Sequence, residues 1–175
     1  MNSVNRSIFW LVLLSMIMAL GCSEKPADVS TIRFYPLDDL KGIISKSDVL
    51  EDKKISFDQK GSLRVVTKKP TTIRLFETGD IDVENARLIY QSKLRTEDVE
   101  GQVYIEMWCH FPGKGEYFSR ALDSALSGSN DWASQETPFF LQKNENPDNI
   151  KLNLVITGKG TVWIDAICLL KGPLN

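Results

Sequence analysis

Apolar and polar residues alternate along most of the chain beyond residue 30. In QVYIEMWCHF, residues 102–111, Val103, Ile105, Met107, Cys109 and Phe111 alternate with Tyr104, Glu106, Trp108 and His110. A strand sends neighbouring side chains to opposite faces, so one face of this segment is core. ARLIYQSKLRT, residues 86–96, sets Leu88, Tyr90 and Leu94 against Arg87, Gln91, Lys93 and Arg95, with Ile89 out of step. IKLNLVIT, residues 150–157, sets Ile150, Leu152, Leu154 and Ile156 against Asn153 and Val155.

Further runs rich in β-branched and aromatic residues are TIRFYP (31–36), ISF (55–57), SLRVVTK (62–68), TIRLFET (72–78), TPFFLQ (137–142) and TVWIDAICLL (161–170). Residues 37–53 fit a loop or one short helix. Turn chemistry punctuates the runs at Gly61, Gly79-Asp80, Glu100-Gly101, Pro112-Gly113, Asn146-Pro147-Asp148 and Gly158-Lys159-Gly160. Many short strands so spaced predict an all-β sandwich or barrel. One segment disputes this. In YFSRALDSALSGSN, residues 117–130, Phe118, Ala121, Leu122, Ala125 and Leu126 fall at helical spacing and predict a short helix.

The N-terminus belongs to a different class of segment. Arg6 precedes IFWLVLLSMIMAL, residues 8–20, which is too short to span a ~30 Å hydrocarbon core as a helix. A basic start, a short apolar run and small residues describe a secretory signal peptide over residues 1–21. Ala19-Leu20-Gly21-Cys22 resembles the bacterial lipobox, in which the cysteine is diacylated and becomes the mature N-terminus; Ala19 stands where leucine is usual. Cys22 is therefore the expected lipid anchor, against the plainer reading of ordinary cleavage. Ser23 after it is compatible with sorting to the outer membrane. Residues 22–30 form a polar tether, and 31–175 a single domain large enough to bury a core.

Charge excludes one class of partner. With 21 basic and 23 acidic residues and isolated Lys53-Lys54 and Lys68-Lys69 pairs, the chain carries no nucleic-acid footprint. Catalysis is also disfavoured: His110 is the one histidine, and no G-x-S-x-G elbow is present. Cys109 and Cys168 remain after Cys22. Export permits a disulfide between them, but both sit in apolar strand patterns where a free thiol is equally at home.

From Asn85 onward the order of features resembles a known module. LIYQSKLRTEDVEGQVYIEMW is followed by GSNDW (128–132) and then by NIKLNLVITGKGTVWIDAICL, with GKGTVWID (158–165) the most telling piece. The match is to the galactose-binding-like β-sandwich of carbohydrate-binding modules in the 4/9 group. It covers about 90 residues, and the first half only loosely. The resemblance implies a two-sheet antiparallel jelly roll, often with a structural calcium, in which one sheet face binds sugar. It makes Trp132 and Trp163 packing residues, and it makes Asp165 a calcium ligand or a cap for neighbouring backbone. Gly158 and Gly160 read as a tight hairpin around Lys159.

If the alternating strands share a sheet, as the resemblance implies, the outer face gathers Gln91, Lys93, Tyr104, Glu106, Trp108, His110 and Asn153. Rings for sugar C–H faces, with amide and carboxylate groups for hydroxyls, suit a glycan. The same face could dock an envelope protein, or its rings could lie under a covering segment.

Overall fold

The computed structural model describes residues 28–174; the predicted signal peptide, Cys22 and most of the tether lie outside that range. The described chain is all-β: β1 (Ser30–Tyr35), β2 (Val49–Asp52), β3 (Ser62–Thr67), β4 (Thr71–Thr78), β5 (Ala86–Phe111), β6 (Gly115–Arg120), β7 (Leu126–Leu141), β8 (Asn149–Ile156) and β9 (Lys159–Gly172). ISF at 55–57 is loop, and 37–53 contains β2 in place of a helix.

The helical stripe at Phe118 does not form a helix. β6 pairs with β5 from Phe111 opposite Gly115 to Glu106 opposite Arg120. Residues 121–125 then turn, with the Ala125 amide donating to the Leu122 carbonyl at 3.2 Å, before β7 rejoins β5 with Leu126 opposite Val103. A short isolated helix is marginal in water, and the backbone partners offered by β5 outweigh the spacing pattern.

Turn-like sequences mislead in a second place. Glu100 pairs with Lys159 and Val103 with Ile156, so β8 and β9 follow one another along the same neighbour, β5. On their other side, Thr71 lies opposite Ile156 and Thr67 opposite Gly160, so β3 and β4 are also consecutive along one path. Gly158-Lys159-Gly160 is therefore no hairpin, and Glu100-Gly101 no reversal. Both mark the level at which long antiparallel paths pass from one layer to the other. Glycine is required there for room: a Cβ on Gly158 would lie 1.8 Å from the Glu100 carbonyl oxygen, and one on Gly160 2.7 Å from the Val99 Cα.

One layer holds β2, β3, β9, the first half of β5 and β7, with β1 beside the end of β9; the other holds β4, β8, the second half of β5 and β6. Leu88, Tyr90 and Leu94 face inward from the first half of β5, and Val103, Ile105, Met107 and Cys109 from the second. The inward parity changes from even to odd between them. Register shifts around Asp98, whose φ is 51°, take up the extra residue as a β-bulge. Both inward sets join one hydrophobic core with Leu152, Leu154, Ile164 and Leu169. The result is the two-layer antiparallel β-sandwich that the sequence predicts.

Cys109 and Cys168 are free thiols. Cys109 points into the core opposite Ile150, whereas Cys168 lies on the outer side of the first layer between Phe34 and Gln91, so no disulfide joins them.

Candidate functional site

The outer side of the β4-β8-β5-β6 layer carries the candidate site. Strand register sets its side chains in rows. Arg74, Asn153, Glu106 and Arg120 form one row across four strands; Lys151, Trp108 and Phe118 form the next; Asn149, His110 and Glu116 follow. Alternation places them: Ile105 and Met107 are completely buried on the opposite side, so Glu106 and Trp108 must point outward.

Glu106 organises this face. Its Oε1 accepts from the Trp108 indole N–H at 2.6 Å and from the Asn153 amide at 3.2 Å, and its Oε2 accepts from Arg120 Nε at 2.6 Å. The side chain is only 6% exposed. A carboxylate so placed is costly unless charged and neutral donors surround it, and here they come from both neighbouring strands and from its own. The indole is thereby fixed in orientation, half-buried, with Phe118 at 5.0 Å between ring centroids and 46° between planes. Phe118 is 50% exposed, and the Arg120 guanidinium lies 4.2 Å from its ring centroid.

Beside the indole is a shallow depression of ≈ 250 Å³ lined by Thr72, Arg74, Trp108, Glu116, Lys151 and Asn153. All six come from outward positions of adjacent strands. The formal charges here are paired: Lys151 with Glu116, Arg74 with Glu77 and Arg120 with Glu106. The face thus offers an aromatic surface ringed by hydrogen-bonding groups without a strong net charge, which suits a neutral polyhydroxyl ligand.

Five of the seven residues read from the sequence come together here: Tyr104, Glu106, Trp108, His110 and Asn153. They do so in different capacities. Tyr104 is only 8% exposed and packs with the core, so it does not present its ring. His110 lies at the edge of the face, its Nδ1 2.5 Å from Asp148 Oδ1, a hydrogen-bonded surface histidine.

Gln91 and Lys93 are elsewhere, which corrects the reading of one shared face. They belong to the other half of β5, in the other layer, because the two alternating segments are one continuous strand and not two neighbours. Gln91 reaches Glu136 at 3.4 Å; Lys93 donates to Ser134 Oγ at 2.6 Å and lies 4.7 Å from the Phe57 ring centroid. The loop carrying Phe57 covers this part of the first layer. The Phe57 amide donates to Asp165 at 2.8 Å, and its ring meets Trp132 edge-on at 6.1 Å. Trp163 is buried and donates its indole N–H to Asp52 at 2.9 Å, between the guanidinium groups of Arg64 and Arg95. Both tryptophans pack, as their motifs imply.

Asp165 has the backbone role. Its fully buried carboxylate accepts the Phe57 amide on Oδ2 and the Ala166 amide, at 2.6 Å, on Oδ1. Ala166 sits at φ 49°, a left-handed conformation that costs a non-glycine residue about 1–2 kcal/mol, and the carboxylate holds it there as β9 bulges. Burial pushes Asp165 above the ordinary carboxylate range, the Phe57 and Ala166 amides act against it, and the charges of Asp58 and Asp38 add to the rise. Among the described residues no group of three or more His, Cys, Asp or Glu gathers around Asp165.

Thr72, Arg74, Glu116, Phe118, Arg120 and Lys151 complete the site beyond the sequence reading. Thr72 and Arg74 were detectable by alternation with Ile73 and Leu75, and Lys151 by alternation with Ile150 and Leu152. Phe118 and Arg120 were hidden by the helical spacing of their segment.

No protein-family model and no curated protein matches this chain. Among solved structures, it is similar to the xylan-binding domain CBM22-1 of Paenibacillus barcinonensis Xyn10C, with 9% identity, a TM-score of 0.59, and coverage of 85% of this chain and 96% of that one. The tandem CBM22-1-CBM22-2 domain of the same protein matches with 10% identity and a TM-score of 0.61 over 87% of this chain and 47% of that one. A further family 22 xylan-binding domain matches with 10% identity and a TM-score of 0.51 over 83% of this chain and 97% of that one. At such identities the likeness establishes the fold: a β-sandwich of the kind found in carbohydrate-binding modules. These structures bear on the fold alone and do not test the resemblance to the 4/9 group.

Proposed function

We propose that the chain is a non-catalytic glycan-binding module, held at a bacterial cell envelope by lipid on Cys22, with its sugar site on the Trp108 face. The observation that carries the reading is the Glu106-fixed indole beside a depression lined by Thr72, Arg74, Glu116, Lys151 and Asn153. A ring whose orientation is set before the ligand arrives loses little entropy on binding, and polar groups around it can meet hydroxyls. The similarity of the sandwich to xylan-binding domains lends support to a carbohydrate as the ligand class. The lipobox-like Ala19-Leu20-Gly21-Cys22 supports the anchor, and Ser23 supports the outer membrane as its destination.

A glycan array probed with wild type and with Trp108→Ala tests the reading. It predicts glycan retention by wild type and loss by the variant, with both melting cooperatively. If an envelope protein is captured in a Trp108-dependent way while no glycan is, the face is a protein-docking surface.

A further inference from the structure

On the opposite side of the core, the outer face of the first layer ends in an apolar area next to the N-terminus. Strand register sets Phe34 beside Cys168, and Leu170 between Thr31 and Ile89, with Pro138 next in that row; Phe140 lies two residues further along β7, opposite Arg87 and in the row of Gly172. Val29 packs its Cγ2 3.6 Å from where a Gly172 Cβ would stand, which joins it to the same area. Val29 is 52% exposed, Phe34 56% and Phe140 53%. Three large exposed apolar side chains around a partly buried apolar row mark a contact surface.

We infer that this face lies on the lipid bilayer, with Val29, Phe34 and Phe140 reaching into the headgroup and upper acyl region. This rests on the lipid anchor of the preceding section. Cys22 is seven residues before Val29, so even a fully extended tether spans at most about 25 Å. The chain therefore enters the domain at this apolar area, and the anchor keeps the area within a short reach of the membrane. Arg87 stands on this face between Gly172 and Phe140, where its guanidinium can meet phosphate headgroups as the rings insert. Acyl chains on Cys22 and an inserted ring patch act together, since each raises the effective concentration of the other. One functional consequence is orientation. With the first layer on the membrane, the Trp108 face of the second layer points away from it, toward ligand.

The test uses the full lipidated protein in vesicles of phosphatidylcholine and phosphatidylglycerol carrying brominated acyl chains. Phe34→Trp places a reporter in the apolar area, and Phe118→Trp places one on the opposite face. Vesicle flotation is scored first. The inference predicts that both variants float and that the fluorescence added by Phe34→Trp falls at least twofold in brominated vesicles, while that added by Phe118→Trp is unchanged. Flotation with equal, unquenched emission from both reporters would overturn the membrane-facing assignment and leave the anchor standing. Failure to float would remove the anchor, and the assignment with it.

Discussion

The indole N–H of Trp108 is held 2.6 Å from Oε1 of Glu106, two residues earlier on the same strand. Residues i and i+2 share a face of a strand, so the bond lies along β5 and keeps the ring in a set attitude over the sheet. Arg120 and Asn153 bind the same carboxylate from the strands on either side. The candidate binding surface is thus organised by one nearly buried acid whose partners all lie in the sheet itself.

Glu106→Ala should therefore release the ring and strand its donors. The expected cost is about 1–3 kcal/mol in a urea titration, with partial loss of glycan binding while Trp108 remains present. Glu106→Gln should retain more binding than alanine, because the amide oxygen can still accept from the indole. Equal binding by wild type and Glu106→Ala would show that the ring needs no such support.

Asp165→Asn should destabilise the domain by about 1–3 kcal/mol, because the new amide group turns a donor toward the Phe57 or Ala166 N–H. Chelator and added calcium should leave the wild-type melting temperature unchanged. A rise with calcium that Asp165→Asn abolishes would instead place a metal at this position.

The acidity of the same residue has a definite sign. Its folded pKa is raised, so its contribution to stability is fully present below the ordinary carboxylate range and is lost as pH rises through the raised value. Wild type should accordingly lose stability relative to Asp165→Asn between those two pH values. Urea midpoints for both proteins, taken across the acidic range, check the direction.

Gly158→Ala should prevent folding or cost about 3 kcal/mol or more, because the Glu100 carbonyl occupies the space and belongs to backbone that cannot swing away. Gly113→Ala, where nothing lies within 4 Å, serves as the contrasting substitution; its φ of 72° makes it mildly strained but free of collision. Thermal melts of the two variants should differ widely.

Thiol accessibility gives a separate check on the strand parity. Burial pushes the Cys109 thiol up to about 12, whereas Cys168 lies on an outer face and is partly exposed. A thiol reagent should modify Cys168 in the native protein and Cys109 only on unfolding, with no reductant needed for either.

Much of this fold could be read from alternation alone. The inward sets Val103, Ile105, Met107, Cys109 and Ile150, Leu152, Leu154, Ile156 are the core residues that period-two patterning picks out. Connectivity was less accessible. Gly101, Gly158 and Gly160 have the composition of turns, yet they serve a close crossing of long strands, and a local window contains no information about which backbone lies opposite. Gln91 and Lys93 were misplaced for that reason, since their parity was right and their layer was not. Phe118 and Arg120 were masked because short amphipathic segments satisfy both periods, and only pairing with β5 decides between them. The covering role of Phe57 depends on a contact with Asp165 from far along the chain, which no spacing rule reports.

Affinity electrophoresis of wild type and Trp108→Ala through gels containing xylan and other neutral plant or bacterial glycans tests the central claim most directly. Wild type should be retarded by at least one glycan, and Trp108→Ala, equally folded, should migrate as in a glycan-free gel. Retardation that is identical for both proteins would place the sugar somewhere other than the Trp108 face and contradict the account.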